Sequence, residues 1–290
     1  MLKIVEKSRL WITISVVVIA IGLGFLIFRG LNLGIDFAGG TIMQVDLKTQ
    51  VNTEEIREIA AKYVSDASVQ SVDATGIMIR SSSITNEQVE SLKNEINTLY
   101  KIDSSSWSTE TVGPSIGAEL SRNALYAIIL ASVAMLIYVA VRFELNFGIA
   151  AIITLIHDIL FTVGVYAVLQ IPINSAFIAA ILTVVGYSIN DTIVIFDRIR
   201  ENSKTNRKAS LEELANASIT QSLSRSINTV LTTLFTITAL YFIGVSAVKE
   251  LALPLILGIA SGSYSSIFIA TPIWLILRKR SNVKKGLVNA

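Results

Sequence analysis

Val184-Val-Gly-Tyr-Ser-Ile-Asn-Asp-Thr-Ile-Val-Ile-Phe-Asp-Arg-Ile-Arg-Glu-Asn202 decides how this chain folds. It closes an apolar run that begins near Ile173 and is long enough to cross a bilayer. Asp191 lies inside that run. A carboxylate at such a depth costs about 2.5–3.5 kcal/mol on insertion scales, and its default role is in an ion or proton pathway. Spacing of i, i+3 and i+4 puts Ser188, Asp191 and Thr192 on one helical face, with Asn190 and Gly186 on an adjoining stripe.

The composition around this segment fits a membrane protein. Of 290 residues, 52% are apolar and only 16% are charged, against roughly 25% charged in soluble domains. The chain has no cysteine, which excludes disulfides, thiol chemistry and Cys-based zinc sites. A single histidine, His157, leaves little for a His-based metal site, so neither a metal nor a cofactor is expected.

Six segments are apolar for about the 20 residues that a spanning helix needs: Leu10–Phe28, Ala124–Val141, Leu145–Leu169, Ile173–Phe196, Ile227–Val248 and Leu251–Leu277. The first is too long for a signal-peptide core, lacks a clear small-residue cleavage site, and is expected to be a retained span. Lys and Arg set the orientation. They crowd the N-terminal tail (Lys3, Lys7, Arg9), Arg142, the link 197–226 and the tail 278–290, whereas the short links on the other side hold only Lys249. Both termini are therefore expected in the cytoplasm. The organisation read from this is a tail and first span over 1–29, an outside domain over 30–122, five further spans over 123–277, and a basic cytoplasmic tail.

Residues 30–122 carry 13 acids and 7 bases, which argues against nucleic acid as a partner. Thr41–Leu47 alternates Met43, Val45 and Leu47 as a strand does. Asn52–Val64 places Ile56, Ile59, Ala60 and Tyr63 at helical spacing. Ser68–Val72 and Ile77–Arg80 flank the turn signal Asp73-Ala-Thr-Gly76. Thr85–Tyr100 opens on the capping box Thr85/Gln88 and has Val89, Leu92, Ile96 and Leu99 as its apolar face. Trp107–Val112 supplies a last strand. The order β-α-β-β-α-β predicts a ferredoxin-like α+β domain. The turn Gly34-Ile-Asp-Phe-Ala-Gly-Gly40 leads into it. Asp36, Gly39 and Gly40 are read as a tight structural turn rather than a phosphate loop, because no Lys-Ser/Thr follows and no helix is expected there.

Further polar residues lie inside the spans. Arg225 opens the fifth, and Arg225, Thr229, Thr232 and Thr236 share a face, with Asn228 beside it. An arginine-led hydroxyl stripe fits a hydrated seam. For the threonines alone, hydrogen-bonded helix–helix glue is the better account. Pairing of Asp191 with Arg225 is expected, as a coupling device or as a purely structural ion pair. His157 and Asp158, mid-span in the third helix, form either a proton relay or a polar pair that fixes packing. Gly258-x-x-x-Gly262-x-x-x-Ser266 is a close-packing stripe, and Pro254 and Pro272 permit kinks. Ser210-x-x-Glu213 is expected to cap a short helix in the cytoplasmic link, which otherwise reads as a solvated connector near anionic headgroups.

Six stretches carry a resemblance: Ile35-Asp-Phe-Ala-Gly-Gly-Thr41, Val112-Gly-Pro-Ser-Ile-Gly-Ala-Glu-Leu120, Arg142-Phe-Glu144, His157-Asp158, Gly186–Asn202, and Thr220-Gln-Ser-Leu-Ser-Arg225. Through them the chain resembles the SecF family, the smaller subunits of the SecD–SecF protein-export complex, within the resistance-nodulation-division superfamily. Leu145-Asn146-Phe147 departs from relatives, which often have an aromatic and a basic residue there. The resemblance implies a six-span half that pairs with a SecD-like subunit beside a SecY-type channel, in the cytoplasmic membrane of a bacterium. It implies that an ion gradient, proton or sodium, drives late export of unfolded polypeptides, with no ATP site. It implies that Asp191 couples the ion and that Arg225 is essential. The alternative is a small-molecule or lipid exporter of the same superfamily, although one compact outside domain leaves little room for a substrate vestibule. An enzyme is not expected, because 30–122 contains no His, no Cys and no nucleophile–base signature.

Overall fold

In the computed structural model, residues 2–72 and 74–284 are described. They divide into two compact units, one of residues 33–125 and one of the remaining N-terminal and C-terminal parts.

The smaller unit contains a four-stranded antiparallel sheet in the order β2-β3-β1-β4, with β1 Gly40–Asp46, β2 Ser68–Ser71, β3 Gly76–Ser81 and β4 Trp107–Val112. One turn of helix, α2 (Ile35–Ala38), precedes β1. Helices α3 (Thr53–Tyr63) and α4 (Asn86–Tyr100) cross between strands and cover one face. Alternation puts Met43, Val45 and Leu47 into the core with Ile77 and Ile79, against Ile56, Leu92 and Ile96. Asn52 caps α3, accepting from the Glu54 and Glu55 amides, and Thr85 and Gln88 form the reciprocal capping box of α4. This is the ferredoxin-like arrangement. Asp73, in the β2–β3 turn signal, lies outside the described residues.

Two local expectations for this unit are corrected. Leu99 is half exposed, because α4 ends one residue later and Tyr100 and Ile102 take its place against the core. A helix does begin in the glycine turn: Phe37 and Ala38 donate backbone N–H to Gly34 O at 3.0 and 2.9 Å. The turn is halted by Gly39 at φ +77° and Gly40 at φ +131°. At Gly40 a side chain would also overlap the Ser81 carbonyl, and at Gly117 a Cβ would lie 2.6 Å from Phe37 O. Gly40 is thus needed for both dihedral and space, Gly39 for its dihedral and Gly117 for space.

The larger unit holds the membrane helices: α1 Ser8–Arg29, α5 Pro114–Arg142 (which starts in the smaller unit), α6 Leu145–Leu169, α7 Ser175–Thr205, α8 Leu211–Ile243, α9 Ser246–Ser265 and α10 Thr271–Lys284. A π-helical turn, Ser266–Ala270, joins α9 to α10 just before Pro272, so these two serve as one span. Six segments among the described residues are long and apolar enough to cross a membrane. The expected short helix after Ser210 is not separate. Ser210 and Glu213 do form a capping box, but α8 runs unbroken from Leu211 through Arg225 into the fifth span. The charges of this stretch lower its hydropathy without breaking its helix.

The spans differ in how much of themselves they bury. In the most apolar stretches of α6, α7 and α9–α10, 44%, 50% and 56% of residues are buried within the chain, against 11% in α1, 6% in α5 and 11% in α8. The packed trio rests on small residues in register. A side chain at Gly258 would overlap Val184, and a Cβ at Gly262 would lie 3.1 Å from Ser188 Cβ. One repeat further, Ser266 Oγ lies 2.7 Å from Thr192 Oγ1. Helix α9 therefore seats every fourth residue on α7, as its small-residue stripe implies.

Candidate functional site

Asp158 on α6 is fully buried where α6, α7 and α9 meet. Its Oδ2 accepts from Ser188 Oγ of α7 at 2.6 Å and from Ser265 Oγ of α9 at 2.8 Å. Its Oδ1 accepts from Ser261 Oγ at 2.8 Å and lies 3.0 Å from His157 Nδ1. Both oxygens are thus engaged twice, and three helices are tied through one carboxylate. His157 faces away from this crossing. It stacks near Tyr264, at 6.2 Å between ring centres, and lines an apolar cavity of about 330 Å³ between α1, α6 and α9.

Asp191 is only 7% exposed, one turn beyond Ser188 on α7, and its surroundings are sparse. Its Oδ2 is buried without a hydrogen-bond partner. The hydroxyl of Ser226 on α8 faces it, yet Ser226 Oγ is itself buried and makes no hydrogen bond of ordinary geometry. Arg225, next to Ser226, is the charge whose field reaches Asp191. The two form no ion pair among the described residues, which corrects the expected Asp191–Arg225 bridge. The physical reason is helical phase: Ser226 points into the α7–α8 contact and is buried, while Arg225, one residue earlier, points out of it and is exposed.

The expected common face of Ser188, Asp191 and Thr192 is buried, but it serves two neighbours. Ser188 and Thr192 meet α6 and α9, whereas Asp191 turns to α8. Asn190 is exposed and has no hydrogen bond among the described residues. On α8, Arg225, Asn228, Thr229, Thr232 and Thr236 are exposed on the unit's surface. The threonine hydroxyls of this stripe bond backward to their own helix, Thr229 to Arg225 O and Thr232 to Asn228 O at 2.9 Å, and Thr236 to Thr232 O at 3.0 Å. They are not glue within this chain, because the carbonyl one turn back is always in reach. The crossing bond comes instead from Tyr187 of α7, whose hydroxyl donates to Thr229 O at 3.2 Å and also meets Thr233 Oγ1.

Three residues in this region escaped the sequence reading. Ser261 and Ser265 are small residues on a packing stripe, and nothing in their spacing marks them as partners of an acid 103 and 107 positions away. Asn216 is buried, its Oδ1 accepts the Ile4 and Val5 amides at 3.0 and 3.1 Å, and its Nδ2 donates to Glu6. It anchors the chain start to the helix that carries Arg225. A buried amide in a charged stretch was the available signal.

The family model for the C-terminal region of protein export membrane protein SecD/SecF matches residues 91–280, and that for the SecD/SecF GG motif matches 24–51. The chain belongs to the SecD/SecF protein-export membrane protein family. It is 40% identical over 286 residues to the protein translocase subunit SecF of Calditerrivibrio nitroreducens, with 94% of each chain covered. It is 38% identical over 280 residues to that of Desulfurispirillum indicum, covering 93% of this chain and 89% of the relative. Among solved structures it is similar to SecDF of Thermus thermophilus, described as a translocon-associated membrane protein, with a TM-score of 0.87 and 35% identity. That match covers 96% of this chain and 39% of the other, so the chain spans about two-fifths of SecDF. The GG-motif match takes in Gly39 and Gly40, whose positive φ values were described above.

Proposed function

We propose that this chain is an auxiliary subunit of the Sec protein translocase and uses an ion gradient to drive late export across a bacterial cytoplasmic membrane. Both termini lie in the cytoplasm in this reading. The observation that carries the coupling role is the Asp191 carboxyl: buried, with one oxygen lacking any donor, and facing a helix whose arginine stands one residue out of contact. An acid held this way can gain or lose an ion with little to hold either state. Ionised, it is drawn to Arg225, and α7 and α8 close; neutral, it releases them. A membrane potential supplies about 2.3 kcal/mol per elementary charge per 100 mV. That shifts a two-state equilibrium roughly fifty-fold.

The exposed stripe of α8 supports a partner. Arg225 and Asn228 would face hydrocarbon in a lone chain, an expensive position for a charge and an amide. A SecD-like subunit covering α8 removes that cost and makes the stripe a seam between two halves. The SecY-type channel and the emerging polypeptide are further partners in this reading. Asp158 and His157 fall on the packing side, since Asp158 is engaged by α7 and α9 and neither side chain contacts Asp191.

The test is export by sealed vesicles containing this chain and its SecD-like partner, with proton and sodium gradients imposed separately. One of the two gradients should accelerate the late step, and Arg225→Lys should lose that response, because an ammonium cannot replace a guanidinium fork at a fixed distance. Export indifferent to both gradients would sink the coupling role. A full response in Arg225→Lys would reduce Arg225 to a point charge.

A further inference from the structure

About two and a half turns beyond Asp191 along α7, the ends of four helical segments enclose a second cavity, of about 270 Å³. Phe147, Ile199 and Leu214 form its buried lining. Arg200 and Arg278 reach it from α7 and α10, with Glu144 at the start of α6. Arg278 Nη1 holds Glu144 at 2.5 Å, which leaves most of its N–H groups unspent. Arg200 has no carboxylate partner among the described residues. Its guanidinium lies 5.9 Å from the centre of the Phe143 ring, and its one hydrogen bond, to Arg142 O, is long at 3.5 Å. Trp274 also lines the cavity. It is 4% exposed, and its indole N–H is buried with no acceptor. Two guanidiniums against one carboxylate describe a site built to receive acceptors with negative charge.

We propose that this cavity binds the phosphate headgroup of an anionic membrane phospholipid. The fork of Arg200 and the free N–H groups of Arg278 meet the phosphate oxygens, and the Trp274 ring serves as apolar wall. The cavity has room for a phosphate and a glycerol but not for acyl chains, which stay in the bilayer. A lipid is the source because the cavity lies where membrane-crossing helices end: the α5–α6 turn, the last turns of α7, the first of α8 and the first half of α10. Anionic leaflets attract nearby Lys and Arg, and Arg142 stands beside the site.

The purified full-length chain should be titrated in detergent by native mass spectrometry with phosphatidylglycerol, phosphatidylcholine and inorganic phosphate in turn. Phosphatidylglycerol should fill one saturable site and bind more tightly than phosphatidylcholine. Arg200→Gln should weaken it about tenfold, the value of one charge-assisted hydrogen-bonded contact. Arg200→Lys should weaken it about fivefold. The Lys keeps the positive charge and the aliphatic stem and removes only the planar fork, so it decides the matter even where the glutamine variant folds poorly. Unchanged phosphatidylglycerol affinity in Arg200→Lys, or equal affinity for the two lipids, overturns the proposal. Displacement of phosphatidylglycerol by equimolar inorganic phosphate overturns the lipid as the occupant.

Discussion

Asp158 and Asp191 are both buried acids in the membrane region, on helices that touch, and they are treated in opposite ways. Asp158 has its two oxygens engaged four times, by three serine hydroxyls and His157. Asp191 has an oxygen with no donor at all. The first arrangement has one deep minimum, because moving any of α6, α7 or α9 breaks a buried hydrogen bond. The second has none, so its acid can respond to an ion or to a small shift of α8. The same residue type is thus a rivet at one crossing and a switch at the next, and the difference is the count of donors around it.

The comparison breaks if both acids behave alike when removed. Asp158→Ala should be the largest effect, destabilising the folded chain by about 3–5 kcal/mol, because it leaves three buried hydroxyls without their acceptor and opens a cavity between the helices. Thermal unfolding in detergent reads this directly, and a variant as stable as the parent would refute the rivet. Asp191→Asn should do the reverse. It removes a buried charge with no bound donor, so stability should hold within about 1 kcal/mol while gradient-driven export is lost. Retained export, or unfolding on the scale of Asp158→Ala, would erase the distinction.

A third variant probes the packing that lets the rivet form. Gly262 lets α9 approach α7 until a Cβ there would lie 3.1 Å from Ser188 Cβ, and Ser188 is a donor to Asp158. Gly262→Leu should push the helices apart and cost about 1–3 kcal/mol as overpacking. Combined with Asp158→Ala it should cost less than the sum, since both act on one crossing. Strict additivity would separate the glycine stripe from the carboxylate.

The sequence made the architecture legible through periodicity and caps: six apolar spans, the alternation of Met43, Val45 and Leu47, and the Thr85/Gln88 box all reappear in the fold. Other features depend on three-dimensional phase. Ser188 and Thr192 face α9 while Asp191 faces α8, a division that one-dimensional spacing merges into one face. Arg225 lies one residue from Ser226, and that single step decides contact against exposure. Ser261 and Ser265 gave no signal, because a serine on a close-packing stripe looks the same whether or not an acid lies opposite. The Ser210/Glu213 cap was visible, but the charges between it and Arg225 hid the continuity of α8, since hydropathy measures lipid preference and not helix propensity.

The smallest effect comes from an acid that has the donors of Asp158 but stands in water. In the smaller unit, Asp66 accepts from Ser81 Oγ, Ser83 Oγ and both the amide and hydroxyl of Ser82, at 2.5–2.9 Å. Burial acts to raise its pKa, but the hydrogen bonds from Ser82, Ser81 and Ser83 outweigh it and hold the carboxyl well below the usual carboxylate range. A lowered folded pKa stabilises the fold above the unfolded value of about 3.9, and that contribution fades as the pH falls toward the folded one. Asp66 is solvent-exposed, so screening and competing water keep the contribution below about 1 kcal/mol. Asp66→Asn in a fragment of residues 33–125 should therefore unfold in urea slightly earlier than the parent at neutral pH. The gap should stay constant down to about pH 5 and narrow below about pH 4, where the unfolded parent begins to bind the proton that folded Asp66 still refuses. A gap of several kcal/mol would mean that donor count alone sets the strength of such a clamp, wet or dry. A gap that widens on acidification would reverse the sign of the linkage and remove Asp66 as the charged partner of the three serines.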